Sequence, residues 1–337
     1  MCEKKPLIII AGPTAVGKSA LSIALAKEIG GEIISADSMQ VYRHMDIGSA
    51  KITPAQMEGI SHHLLDILEP EEEFHVVKFQ TLAKEALDRI DKAGRIPIVV
   101  GGTGFYIQSV LYDIDFTETK EDTAFREELE AFARKEGTHA LFERLRSVDP
   151  KSCEIIHEHN IKRVIRAIEF YEKTGTPISE HNERQQEKTS PYQYAYFVLT
   201  DERARLYERI DRRVDEMVKD GLVEEVMGLK NMGCTRDMVS MQGLGYKEIL
   251  EYLEGNSTLE DAIYRIKRDT RHFAKRQLTW FRREKDVLWV DRQNFRQESG
   301  QDIPEKAAPC AASSEDGRIL AYMLQILIEK GILSNEQ

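Results

Sequence analysis

Cysteine is sparse in this chain and does not cluster. Cys2, Cys153, Cys234 and Cys310 are scattered, with no C-x-x-C pair. Such spacing offers neither a zinc site nor a disulfide framework. Long apolar runs are lacking too. No stretch approaches the roughly 20 residues that span a bilayer. The short apolar run behind MCEKK is too brief for a secretory leader and reads as a buried strand. No internal repeat is visible. These absences lead to the expectation of a cytoplasmic protein with no membrane partner. Nothing calls for a second chain, so a monomer is expected. Positive charge is in deficit, 47 Lys and Arg against 58 Asp and Glu, for a net charge of -11. That balance opposes a nucleic-acid partner until its distribution is considered.

The 337 residues, 41% hydrophobic and 31% charged, describe an ordinary globular chain of about two domains. Five short β-rich runs, 6–11, 32–37, 96–101, 193–199 and 287–291, read as buried parallel strands. Helical periodicity over 19–29 and 76–93 separates the first three, the alternation of an α/β sheet. Between the third and fourth runs, helical patterns over 123–136, 139–148, 151–156 and 160–174 are punctuated by Gly137, Pro150 and 175–177. A connection this long implies an inserted helical subdomain. Residues 201–283 read as helices broken near Gly221, Gly233 and 243–245. The polar, Ala- and Pro-containing stretch 293–316 reads as a linker, and 318–332 as a last apolar helix docked on the core.

The first strand runs into GPTAVGKS, residues 12–19, and then into a helix. This is the context in which G-x-x-x-x-G-K-[ST] grips phosphates. Gly12 and Gly17 let the backbone aim its N–H groups at one point, and the helix N-terminus adds positive potential. Lys18 supplies a charge for terminal phosphates and Ser19 a hydroxyl for magnesium. The loop does not specify the rest of the ligand, and a diphosphate alone satisfies it. The expected architecture is an α/β, P-loop NTPase-like parallel-sheet core with an inserted all-helical subdomain and C-terminal helices. The core is expected over 1–115 and 193–292, the insertion over 116–192, the linker over 293–316 and the final helix over 317–337.

The second strand ends in Asp37, followed by Ser38, Met39 and Gln40. Ligands of open α/β sheets sit beyond the carboxyl ends of the strands. Asp37 is therefore a magnesium ligand, a base for the attacking group, or a cap on the next turn. The third strand ends GGTGFY, where Thr103 offers a hydroxyl and an N–H to a ligand, or where the chain turns tightly into a helix. The stretch 263–285 carries nine Lys or Arg against Asp269 and Glu284. Laid out as a helix, Arg268, Arg271, Lys275 and Arg282 share a stripe opposite Ile263, Ile266, Phe273, Trp280 and Phe281. A one-sign stripe suits a polyanion, with a solvated charged face as the plainer reading. Lys162, Arg163 and Arg166 form a second basic cluster and Arg212 with Arg213 a third, from which one guanidinium could reach a diphosphate. His62 and His63 read as structural, and His157 and His159 lack the helical spacing of metal ligands.

GPTAVGKS, ISADSMQVYRHMDIGSAK, HHLLDI, RIPIVVGGTGFYIQSVL, NIKRVIRAIE and AKRQLTWFRR occur in that order. The set resembles the tRNA dimethylallyltransferases (tRNA isopentenyltransferases) from about residue 6 to residue 291. The resemblance implies transfer of a dimethylallyl group from dimethylallyl diphosphate to the exocyclic amine of the tRNA adenosine directly 3′ of the anticodon. It implies Asp37 as catalytic base, with Thr103 and Arg213 also catalytic. Gly12, Pro13, Thr14, Ala15, Val16, Gly17, Lys18 and Ser19 would cradle the diphosphate, with Mg2+ on Ser19. Asp37, Ser38, Met39, Gln40 and Thr103 would meet the target nucleotide. Arg126, Lys162, Arg163, Val164, Ile165 and Arg166, with Lys275, Arg276 and Gln277, would grip the tRNA anticodon stem-loop. Many relatives have Thr where this loop has Ser19, and the two hydroxyls are equivalent for magnesium. Two rivals stand beside this reading. A P-loop kinase explains the loop and Asp37 but not the cationic helix. A nucleotide-gated RNA-binding protein explains the helix but gives Asp37 no role.

Overall fold

The computed structural model describes residues 4–116, 123–186, 189–296 and 314–334. Its sheet has six parallel strands in the order β3-β2-β4-β1-β5-β6. They are β1 (Lys5–Ala11), β2 (Glu32–Ala36), β3 (His62–His63), β4 (Pro97–Gly101), β5 (Tyr192–Thr200) and β6 (Val287–Asp291). β1 lies between β4 and β5, with Ile9 opposite both Val99 and Tyr196. Strands covered on both faces need apolar residues at every position. Leu7 to Ala11 are accordingly all buried. The edge strand β3 was not expected. It has two residues, both half-buried histidines, and no apolar run to announce it. His63 Nε2 lies 2.6 Å from Glu32 Oε2 on the neighbouring strand, so this pair serves the fold.

Helices α1 (Lys18–Ile29), α2 (Pro54–Met57) and α3 (Val76–Lys92) connect the first four strands, and α4 (Gly104–Leu111) follows β4. α1 stops at Gly30, a left-handed residue suited to a helix C-terminus. By contact the chain divides into two compact units, Tyr112–Ser190 and the remainder, Met1–Leu111 with Pro191–Gln337. The smaller unit starts before residue 116 because Asp115 bonds to Gln185 and His181 further along it.

The smaller unit holds α5 (Thr123–Glu136), α6 (Thr138–Val148), α7 (Ile161–Thr174) and α8 (Ile178–Gln186). Its core contains Leu129, Leu141, Leu145, Val164, Ile165 and Ile168. Only a single turn, Ser152–Glu154, forms where a helix over 151–156 was expected. Asp149 explains the tightness there. Its buried carboxylate accepts hydrogen bonds from the amides and hydroxyls of both Ser152 and Ser179. Burial would raise its pKa, but these bonds outweigh it and hold the carboxyl below its ordinary range.

In the larger unit follow α9 (Arg203–Lys219), α10 (Leu222–Asn231), α11 (Tyr246–Leu253), α12 (Leu259–Phe281) and α13 (Glu315–Glu329). α13 starts at the Ser314 cap, and its Ile319, Met323 and Leu327 join Ile8, Leu21, Leu25, Ile98 and Phe197 in one core. Most of the linker expected over 293–316 lies outside the described residues. Among the described residues, no helix is long and apolar enough to cross a membrane.

Candidate active site

The loops leaving β1, β2 and β4 open at the carboxyl edge of the parallel sheet, where such folds bind ligands. After β1, Gly12 to Gly17 form a tight loop, and Gly17 enters α1 with φ 98°, a left-handed conformation natural to glycine. Ala15 shares that region at φ 63°, a strain that the loop holds in place. No acid occupies the first turn of α1, so its N-terminus is open to an anion. Lys18 folds back on the loop, donating to Gly12 O at 3.0 Å and Pro13 O at 2.8 Å. Burial pushes its ammonium down to about 8. The Asp37 carboxylate pulls the other way, and the Arg213 guanidinium adds to the fall.

Asp37 follows β2 and Arg213 lies on α9, so three elements bring these charges to Lys18. Asp37 Oδ1 accepts the Met39 N–H at 2.8 Å, a cap on the next turn. Its other oxygen is open among the described residues. One oxygen thus shapes the turn, as the capping reading expected, and the second leaves room for either of the other two roles. Arg213 turns inward. Burial lowers its pKa while Asp37 and Glu216 oppose the fall. Arg212 turns outward and pairs with Glu216 at 3.7 Å, so Arg213 is the arginine facing Asp37 and Lys18.

The glycines of GGTG have a packing reason that the sequence did not reveal. A Cβ on Gly101 would lie 2.2 Å from Ala36 O. On Gly102 it would lie 2.1 Å from Gln277 Nε2, and on Gly104 2.1 Å from Trp280 Cδ1. The close approach is thus made by β2 at Gly101 and by α12 at Gly102 and Gly104. Gln277 spans the gap: its Nε2 donates to Gly102 O at 3.0 Å and its Oε1 accepts the Thr14 N–H at 2.9 Å. Thr103 leads into α4, its N–H donating to Ala36 O at 3.4 Å and its carbonyl accepting from Tyr106 and Ile107. The tight-turn reading thus accounts for its backbone. Its hydroxyl makes no hydrogen bond among the described residues.

The chain after Asp37 is braced from afar. Glu225 on α10 accepts the N–H groups of Asp46, Ile47 and Gly48. Tyr246 donates to Glu225 at 2.8 Å and accepts the Ser49 N–H at 3.1 Å. The buried Lys51 ammonium ties Tyr42 O to Asp46 and Asp66. Gln40 is bonded on both sides, accepting from Ser35 and donating toward Ser49 O and Ala50 O, so its amide serves this brace. Ser38 and Met39 are half-buried beside it.

The basic stripe of α12 is less uniform than the sequence implied. Arg271 is held by Asp211 at 2.5 Å, Lys267 by Asp215 at 2.6 Å and Arg268 by Asp269 at 2.8 Å. Among the described residues, Lys275, Arg276, Arg282 and Arg283 form no ion pair. A groove of about 410 Å³ is lined by His272, Lys275, Arg276, Thr279, Trp280 and Arg283. On α7, Lys162 and Arg163 are exposed, whereas the side chains of Val164 and Ile165 are buried in their own core. Helical periodicity accounts for this split, since one face of α7 must pack. Arg126, Arg166 and Lys173 surround the buried Glu169 carboxylate.

A magnesium ion would fit beside Ser19, whose side chain is exposed at the start of α1. Among the described residues, no cluster of His, Cys, Asp and Glu forms a ready-made cage. That suits an ion held mostly by phosphate oxygens and water, with one protein hydroxyl.

The family model described as IPP transferase matches residues 40–284. The tRNA dimethylallyltransferase of Lachnoclostridium phytofermentans is 58% identical over 329 residues, covering 98% of this chain and 99% of that protein. Its namesake from Carboxydothermus hydrogenoformans is 52% identical over 306 residues, covering 91% and 95%. The full-length tRNA isopentenylpyrophosphate transferase structure from Bacillus halodurans is 44% identical, with a TM-score of 0.68 and coverage of 98% and 99%. A eukaryotic dimethylallyltransferase solved acting on tRNA is 33% identical, with a TM-score of 0.75 over 85% of this chain and 74% of that one. On sequence and fold together, the chain belongs to the tRNA dimethylallyltransferase (IPP transferase) family of enzymes.

Proposed function

We propose that the protein transfers the dimethylallyl group of dimethylallyl diphosphate to the exocyclic N6 amine of the tRNA adenosine directly 3′ of the anticodon, releasing diphosphate. The carrying observation is the grouping of Lys18, Arg213 and Asp37 beyond the sheet, where both cations feel the Asp37 charge. Two cations beside an open helix N-terminus suit a diphosphate leaving group. One carboxylate with a free oxygen suits a base.

The reaction forms a bond from N6 to the allylic carbon and breaks the bond from that carbon to the diphosphate oxygen. An adenine amine is a weak nucleophile because its lone pair is delocalised into the ring. Asp37 accepts its hydrogen bond and then its proton. Negative charge grows on the departing diphosphate. Lys18, Arg213, the loop amides and the hydroxyls of Thr14 and Thr103 stabilise it in this reading. Magnesium, when bound, would neutralise part of that charge, with Ser19 as its protein ligand. The target base must leave its stack to reach Asp37. Ser38 and Met39 lie next to Asp37 in the chain, and the brace on residues 46–51 keeps that segment ordered. Lys162 and Arg163 on α7, and Lys275 and Arg276 on α12, supply cations for the anticodon arm.

Digestion of tRNA treated with the protein and dimethylallyl diphosphate, followed by mass spectrometry, tests the reading. The expected product is adenosine carrying one dimethylallyl group at N6, mapped to the position after the anticodon. A different modified base, or none, would overturn it.

A further inference from the structure

Gln277 stands apart from its neighbours on α12. Lys275 and Arg276 are exposed, while Gln277 is 6% exposed and turned inward. Its amide reaches two structures that the reaction uses. Oε1 accepts the Thr14 N–H in the phosphate loop, and Nε2 donates to Gly102 O at the end of β4. A side chain at residue 102 would collide with it, so the strand end has no room for anything but this amide. With both polar ends occupied inside the protein, Gln277 has little left to offer RNA.

We infer that Gln277 is a positioning residue that fixes the phosphate loop to the cationic helix, so that the helix facing RNA also sets the diphosphate site. The inference rests on the proposed reading of the loop as the diphosphate cradle. Because the Thr14 N–H is committed to Gln277, the diphosphate is left the Thr14 hydroxyl and the amides further along. The outer face of α12 carries Lys275 and Arg276, and its inner face carries the loop's tether. One rigid helix then links the two substrates.

The test compares Gln277→Met, which keeps bulk without hydrogen bonds, with Gln277→Glu. An ionised Glu accepts from Thr14 but sets a carboxylate against Gly102 O. A protonated Glu donates there and restores both bonds, and burial favours that protonated form. The readouts are KM for dimethylallyl diphosphate at saturating tRNA and Kd for tRNA by filter binding. Gln277→Met is expected to raise KM roughly fivefold or more and to leave the tRNA Kd within about twofold. With each KM divided by that of wild type at the same pH, Gln277→Glu is expected to recover toward one as pH falls from about 8 to 6, a relative trend that Gln277→Met lacks. A tRNA Kd weakened about fivefold with KM unchanged would make Gln277 an RNA contact and overturn the inference. Unchanged behaviour in both variants would also overturn it. Lys18→Ala, assayed alongside, separates the two levels. If its KM for dimethylallyl diphosphate stays at the wild-type value, the loop is not the diphosphate site and the underlying reading fails as well.

Discussion

Asp37 spends one oxygen on its own turn and keeps the other open, so a substitution that preserves the turn isolates its chemistry. Asp37→Asn is expected to lower kcat by roughly 10²–10⁴-fold, the usual worth of a general base. Its tRNA Kd should stay close to wild type. A variant with normal turnover would remove Asp37 from the mechanism. Lys18 gives a pH signature. Its pKa in the ligand-free site is lowered to about 8, so its positive charge is lost as pH rises through that value. The kcat/KM for dimethylallyl diphosphate should therefore fall above about pH 8. Lys18→Arg, which stays charged, should flatten that limb of the profile even if its overall rate is lower. Both residues were legible because GPTAVGKS and ADSMQ are local signals. Arg212 and Arg213 were not separable by type. The helix phase of α9 decides, turning Arg213 toward Asp37 and Arg212 toward Glu216. Gln277 was named only as a tRNA contact, and its tie to Thr14, 263 residues away in the chain, had no local signal.

At the scale of the element, α12 is two surfaces in one helix. Amphipathic spacing announced the division, and the buried Ile266 and Phe281 agree with it. Spacing could not say which cations were already neutralised, because Asp211 and Asp215 come from α9. That distinction yields opposite expectations for two arginines. Arg276→Gln should weaken tRNA binding and reduce the salt dependence of log K by roughly one counterion, with little change in Tm. Arg271→Gln removes the partner of Asp211 and should lower stability by about 1 kcal/mol or less, while the salt slope stays near wild type. Filter binding across a salt series, with thermal melts, checks both. Equal salt slopes for the two variants would contradict the division. Glu284, just beyond α12, adds a pH test. Burial pushes its carboxyl up to about 7, so the folded state loses stability as pH rises from the ordinary carboxyl range through that value. Glu284→Gln should raise Tm by a few degrees at pH 8 and leave it nearly unchanged at pH 5.

For the whole molecule, the five strands expected from β-rich runs all formed: β1 and β4, covered on both faces, are continuously apolar, whereas β6 is an edge strand with Trp289 exposed. β3 escaped notice, being two half-buried histidines on an edge. The helix α8 was also missed, and α4 was foreseen only as a tight turn into a helix, without bounds. α4 is short and begins inside the GGTG turn, and α8 is mostly polar. The final helix closes the larger unit. Ile319, Met323 and Leu327 are fully buried, and Glu315 and Asp316 pair with the buried Arg292, whose Nη1 donates to Val16 O in the phosphate loop at 3.3 Å. A chain ending at residue 313 should therefore lose on the order of 5 kcal/mol of stability from apolar burial alone, seen as a large drop in Tm or in soluble yield. The central claim concerns both substrates at once: a phosphate loop that grips an isoprenoid diphosphate beside a base that receives tRNA. Its most direct test mixes the protein with magnesium, unmodified tRNA and dimethylallyl diphosphate labelled in its carbon chain, and runs ATP in parallel. The account predicts label in the tRNA, little ATP turnover, and loss of labelling in Lys18→Ala. ATP consumption with no label in tRNA would contradict it and return the loop to phosphoryl transfer.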